Sequence, residues 1–513
     1  MLFTVITSGE QPPNNHEQAY LVEDRWDDWG KYQTMFDLVV FDEKGTRHDI
    51  GSVKIGEHGL QPNGQIEPGK RAPTLDREFD TLTKKHFSLG QGETYYESLN
   101  TLSERLRSTI LRGLRDCAFD LKIFELAHSE DVMTESLMRS VPYQNVRNRF
   151  HRLAHGDAQL TEFRFDYRMA ESKDSDSTPP TLSFHVEPMS EPPTNVHVLI
   201  GRNGAWKTRC MTHLANAILG VKPPAGEDFG NFEQSGLGWN AWSFAGLVGV
   251  SFSVFDSFHL AAAHSQIGAT MIGLKKSVPS ENGAVKTKSE LADDFAASLR
   301  LCRTGPRRQR WLDAVMTLGS DPLFQEARVE QLADLREEEW NEASLRLFGR
   351  LSSGHAIVLL TVTRLVELVD ERTLVLIDEP EVHLHPPLLS AFIRALSDLL
   401  IKRNGVAIVA THSPVVLQEV PMSCVWMLYR SNEKSVAKRP SRETFGENVG
   451  VLTREIFGLE VEKAGFYRLI QAVAEKDTNE YETVLEHFHQ QLGTEARALA
   501  RALLPPPPAG GSH

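Results

Sequence analysis

A chain of 513 residues, 41% hydrophobic and 24% charged, has the makeup of an ordinary soluble globular protein of roughly two to four domains. No apolar run reaches the roughly 18 residues of a membrane span, and the opening MLFTVITSGEQPP lacks the basic, apolar and small-residue order of a signal peptide. The formal net charge of −14 argues against a surface coated throughout in nucleic acid. The scattered Cys117, Cys210, Cys302 and Cys424 indicate neither a zinc site nor a disulfide framework, so a reducing, cytoplasmic setting is expected.

Residues 1–158 read as an α+β domain that could serve as a partner surface. Strand-like runs in FDLVVFDEKGTRHDIGSVKI meet at a glycine-containing turn. Leu99, Leu102, Leu106, Ile110 and Leu114 then recur at three- and four-residue steps, which predicts one apolar helical stripe. The segment AESKDSDSTPP, 170–180, reads as an exposed loop. Two short strands, TLSFHVEP and VHVLI, lead into GRNGAWKT, and RCMTHLANAIL follows with helical spacing. These elements fall in a first half-domain over 159–282. A charged helical insert is expected over 283–345, too short of heptads for coiled-coil arms. A second half-domain over 346–430 holds LSSGHAIVLLTVTRLVELV, TLVLIDEPEVHLHP, a helix LLSAFIRALSDLLI and the strand-like VAIVATHSP. A C-terminal extension spans 431–503, and 504–513 is a disordered tail.

The stretch GRNGAWKT matches G-x-x-x-x-G-K-S/T except that Trp206 stands in place of the second glycine. Phosphates bind where a strand turns into a helix, because backbone N–H groups converge there and the helix N-terminus carries partial positive charge. Lys207 adds a point charge, and the Thr208 hydroxyl is placed to hold magnesium. TLVLIDEPE ends an apolar strand in Asp378, suited to a metal through water, and Glu379, suited to orienting or deprotonating a water. Ser353 and Gly354 open a helix, a second anion-binding N-terminus, and His412 follows a strand where an imidazole could contact a γ-phosphate. Two arginine clusters, Arg147, Arg149 and Arg152, then Arg303, Arg307, Arg308 and Arg310, read first as solvated faces, with DNA or RNA contact as the alternative. His487 and His489 read as surface residues.

The order of G-x-N-G-x-x-K-T, L-S-S-G, D-E-P-E and T-H-S resembles the ABC-type ATPase heads of the SMC, RecF and OLD-like group, over about residues 160–430. DEPEVHLHP is especially similar to OLD-like defence ATPases. The resemblance implies an α/β fold, a P-loop ATPase head with a mixed sheet, binding ATP and magnesium and dimerising around two nucleotides. By the same matching, Gly201, Asn203, Gly204, Ala205, Trp206, Lys207 and Thr208 of one subunit bind nucleotide, with Ser353 and Gly354 of the other closing over it. Thr208 and Asp378 hold the metal, Glu379 is the catalytic carboxylate and His412 the switch histidine.

Three departures stand against the pattern: Trp206, His355 where glutamine or glutamate is common, and no clear Q-loop glutamine in LVGVSFSVFDSF. A positive φ at Trp206 would cost about 1–2 kcal/mol, and the indole would either crowd the triphosphate or point out of the loop. Only about 140 residues separate Thr208 from Leu351, too few for SMC arms. Residues 414–513 hold no D-x-D pair of a Toprim nuclease, and no H-N-H arrangement is legible. The resemblance is thus strongest to stand-alone ATPase subunits of antiphage systems, the Septu type and those linked to retrons, with TFGENVGVLTREIFGLE as a weaker match. It implies a separate HNH-type nuclease or toxin as partner. The competing expectations are a RecF-type repair ATPase that binds DNA itself, and a pseudo-ATPase dimerisation scaffold.

Overall fold

The computed structural model describes residues 1–24, 31–61, 71–156, 160, 162–170, 179–225, 227–235, 244–251, 258, 260, 267–276, 284–431, 434–461, 465–476 and 481–504. Most of the loop expected at 170–180, most of the tail from 504, and residues 252–257 of the stretch searched for a Q-loop glutamine lie outside these.

Strands β1 (Leu2–Ile6), β2 (Gln18–Glu23), β3 (Met35–Phe41), β4 (Arg47–Glu57), β5 (Glu78–Phe79) and β6 (His86–Gly90) form one sheet in the order β5-β1-β2-β3-β4-β6. The turn between β3 and β4 carries Gly45 at φ 76°, which only glycine adopts freely. The leucine stripe is buried throughout, but it is divided between two helices, Glu93–Asn100 with Leu99 and Glu104–Gly113 with Leu106 and Ile110, while Leu102 and Leu114 sit in the turns that follow them. The expected single helix is interrupted because the Ser103 side chain accepts a hydrogen bond from the Leu106 amide and so starts a new helix.

The central sheet contains β9 (Val196–Gly201), β11 (Gly246–Ser251), β12 (Gly268–Gly273), β13 (Thr373–Asp378), β14 (Val406–Thr411), β15 (Val425–Ser431) and β16 (Lys434–Lys438). Its order is β12-β11-β13-β14-β9-β15-β16, parallel except for the antiparallel edge pair β15–β16. This is an α/β fold with a mixed sheet, as expected. The apolar runs are continuous because both faces are covered. On β13, Val375 and Ile377 enter a core with helices Lys288–Cys302, Gly305–Leu318, Ser353–Leu368 and Pro386–Arg403. Leu374 and Leu376 face helix Lys207–Ile218 and a small antiparallel sheet of β7 (Phe163–Arg168), β8 (Thr181–Val186) and β10 (Asn231–Ser235). The charged segment read as an insert contributes Phe295, Leu299 and Trp311 to the first of these cores, and its last helix, Trp340–Arg350, runs past residue 345.

The arginine clusters turn largely onto carboxylates of the same chain. Arg403, at the end of helix Pro386–Arg403, pairs with Glu93 and with Glu97 at 2.6 Å, both on the first N-terminal helix. Arg149 lies 2.8 Å from Glu371 and 3.4 Å from Glu93, Arg310 lies 3.2 Å from Glu97, and Arg152 pairs with Glu371. The Glu371 amide donates to Glu93 Oε1 at 2.8 Å. Burial pulls the Arg403 guanidinium down to about 10. Arg303 pairs with Glu337 and lies over the Trp340 ring, and Arg308 pairs with Asp334. A solvated face is therefore a poor description of Arg149 and Arg310, whose charges join the N-terminal sheet domain to the ATPase head. His487 and His489 are exposed, as expected. All four cysteines are free and buried, and burial pushes the Cys210, Cys302 and Cys424 thiols up to about 12. Among the described residues no helix is long and apolar enough to cross a membrane.

Candidate functional site

The strand order places β13, β14 and β9 side by side, so the turns after their carboxyl ends open at one edge of the sheet. That edge is where ligands bind in open α/β sheets. The three turns carry Asp378–Glu379, His412 and the loop from Gly201 to Thr208, the last of these 170 residues or more before the other two in sequence. Register fixes the alignment: Asp378 pairs with Ala410, and Thr411 with Ile200.

The phosphate loop is tightly built. A Cβ on Gly201 would lie 2.3 Å from the Leu428 carbonyl oxygen, so β15 leaves room for no side chain there. Gly204 takes φ 77°, and Trp206 is itself left-handed at φ 64°, ψ 28°, immediately before helix Lys207–Ile218. Asn203 and Gly204 are exposed, while Ala205 is buried beneath the loop. The indole does not close the site. It lies against two guanidiniums, Arg430 at 4.1 Å and Arg209 at 5.2 Å from the ring. Each such cation–π contact contributes about 0.5–1 kcal/mol at an exposed site. Together they offset the roughly 1–2 kcal/mol that a left-handed backbone costs a bulky residue. Trp206→Gly is therefore expected to change stability by less than about 1 kcal/mol, checked by urea unfolding. A larger loss would mean that the indole packs for more than its two arginines.

Lys207 is buried, and its Nζ donates to the Gly201 and Arg202 carbonyls at 3.1 and 3.3 Å. Burial lowers the pKa of this ammonium, opposed by Glu379, Asp378 and Glu381. Thr208 Oγ1 donates to Asp378 Oδ2 at 2.8 Å, joining the two groups suited to a divalent ion. A hydroxyl and a buried carboxylate at this spacing fit magnesium, which keeps several waters beside one or two protein oxygens. His412 Nε2 stands 2.7 Å from Lys207 Nζ and 3.0 Å from Glu379 Oε1. One ring nitrogen thus faces both a cation and an anion, accepting from the first or donating to the second. The imidazole is in a position to register which of them a phosphate has displaced.

Sequence reading missed Glu381. Its Oε1 accepts from Thr411 Oγ1 at 2.8 Å and from the His412 amide at 2.5 Å, so it fixes the turn that presents the imidazole. The signal is present as the last acid of DEPE.

Ser353 and Gly354 are not brought to this cluster. Among the described residues no hydrogen bond or ion pair joins either one to the phosphate loop. They open helix Ser353–Leu368, capped by Ser352, whose hydroxyl accepts from the His355 amide. Gly354 is pressed under the loop that follows the carboxylate pair: a Cβ there would lie 2.4 Å from the His383 carbonyl oxygen. Gly354→Ala must force that backbone away and is expected to cost about 1–3 kcal/mol in a urea titration. An unchanged midpoint would show the loop to be free to move.

Residues 272–418, which include Asp378, Glu379 and His412, match a domain family described as "AAA domain, putative AbiEii toxin, Type IV TA system". Protein ea59 of Escherichia phage lambda is 39% identical over 532 residues, covering 98% of each chain. Among solved structures, the ATP-binding cassette MJ1267 of an ABC transporter in its ADP conformation is 15% identical over 59% of this chain and 99% of its own, with a TM-score of 0.30. A bacterial Atm1-family ABC exporter with ATP bound is 13% identical over 60% of this chain and 43% of its own, with a TM-score of 0.31.

Proposed function

The chain belongs to the family of protein ea59 of Escherichia phage lambda, and from that premise we propose that it is an ATP-binding ABC-type ATPase subunit of a prokaryotic antiphage defence complex. Its nucleotide state controls a separate effector, an HNH-type nuclease or a toxin. The single observation that carries the ATPase half is the convergence of Lys207, Thr208, Asp378, Glu379 and His412 at one sheet edge. The effector half is supported by the absence of nuclease motifs from the sequence and by the toxin system named for the matching domain family. Lys207 and the loop amides hold the phosphates, Thr208 and Asp378 hold magnesium, Glu379 orients the attacking water and His412 senses the terminal phosphate.

The helix N-terminus at Ser353 and Gly354 stands apart from the phosphate loop of its own subunit, which favours a dimer in which it closes over the nucleotide of a second copy. Measuring ATP binding and turnover on the purified full chain, with and without DNA, tests this reading. Tight binding, slow turnover and ATP-dependent dimerisation on a sizing column are expected. Brisk turnover stimulated by DNA would assign the protein to repair instead, and absence of ATP binding would make it a scaffold.

A further inference from the structure

Asp321, His355 and His385 come from three separate elements and meet in one cluster. Asp321 caps helix Pro322–Ala327, His355 lies in the first turn of helix Ser353–Leu368, and His385 caps helix Pro386–Arg403. His355 Nε2 is 3.0 Å from Asp321 Oδ1, and His385 Nε2 is 3.3 Å from Asp321 Oδ2. One ligand atom from each residue falls within a 4.8 Å cluster. We propose that these three residues form a binding site for a divalent transition metal of the zinc class.

Two imidazoles and a carboxylate are the donor set that such ions prefer, and a tetrahedron with bonds of about 2.0–2.1 Å has edges of about 3.3 Å. His355 Nε2 is near that edge from Oδ1 and His385 Nε2 from Oδ2 of the same carboxylate, with one donor atom of each residue within 4.8 Å of the others. The surrounding polar groups already orient the donors. Ser352 Oγ stands 2.6 Å from His355 Nδ1, and the Leu323 amide donates to Asp321 Oδ1 at 2.9 Å. Such partners set the tautomer and angle of metal ligands. Asp321 and His355 are both buried, whereas the His385 side chain is half exposed and gives the ion a way in.

With no metal bound, Asp321 Oδ1 faces His355 Nε2 at 3.0 Å, and each neutral imidazole that takes up the ion through Nε2 carries its proton on Nδ1 instead. His385 must also give up the bond that its Nδ1 accepts from the Leu388 amide, a long one at 3.3 Å. The occupied site would tie the loop after the carboxylate pair to helix Ser353–Leu368 and to the helical segment that contains Asp321.

The test is a zinc titration of the chelator-treated full chain without nucleotide, followed by cobalt(II) substitution. One equivalent of zinc and the intense visible bands of tetrahedral cobalt are expected. His385→Ala, at a half-exposed position, should weaken zinc at least tenfold and abolish the bands. Asp378→Asn, which removes the carboxylate suited to a metal at the nucleotide site, should leave both intact. Failure of the native chain to bind zinc, equal binding by His385→Ala, or loss on Asp378→Asn alone would each overturn the proposal, the last by placing the ion at the nucleotide site.

Discussion

Glu379→Gln is expected to keep ATP bound while lowering its turnover by about 10²–10⁴-fold, the range over which a positioned general base acts. Glu379 is fixed rather than mobile. Its backbone is left-handed at φ 44°, its amide donates to the Ala410 carbonyl at 2.9 Å, and its carboxylate reaches His412. Glutamine keeps this shape and loses only the ability to take a proton. Lys207→Ala should instead abolish binding, because Lys207 is the ammonium buried at the phosphate loop. Filter retention of labelled ATP and single-turnover phosphate release separate the two outcomes. Unchanged turnover in Glu379→Gln would remove this residue from the chemistry.

The second large effect concerns stability. Arg403→Met leaves Glu93 and Glu97 without their shared guanidinium, and Glu93 is almost wholly buried. Breaking one side of a buried ion pair costs about 3–5 kcal/mol, and here Arg149 at 3.4 Å from Glu93 and Arg310 at 3.2 Å from Glu97 keep part of the charge compensated, so the lower end is expected. Pairing Arg403→Met with Glu93→Gln should recover part of that loss, since the carboxylate that lost its guanidinium is then neutral. Chemical denaturation of the two variants checks both statements. Because the network joins the N-terminal domain to the head, the single variant is also expected to split one unfolding transition into two. A loss under about 1 kcal/mol would show that water reaches these carboxylates.

The chemistry of the site was legible in the sequence wherever its information is local. A strand, a glycine-rich turn and a helix start are all written within a dozen residues, as are an apolar strand and its terminal acids. What joins residues distant in sequence was not legible. The orientation of Trp206 depends on Arg430, and the burial of Arg149 and Arg310 depends on carboxylates at Glu371, Glu93 and Glu97. Neither composition nor spacing reveals such partners. The break in the leucine stripe at Ser103 failed for a different reason. Periodicity reports which residues are buried, whereas a capping hydroxyl decides where one helix stops and another begins.

The sheet order also constrains synthesis. Strand β9, which leads into the phosphate loop, is hydrogen-bonded on one side to β14 and on the other to β15. Both neighbours are translated some two hundred residues later. A ribosome that has just released Thr208 has therefore made the phosphate loop without either flank of the strand that holds it. A chain halted before Val406 remains in that condition. A phosphate loop held on both flanks thus exists only once the chain extends past Ser431, and a ligand of that loop is expected not to stabilise a product truncated before Val406.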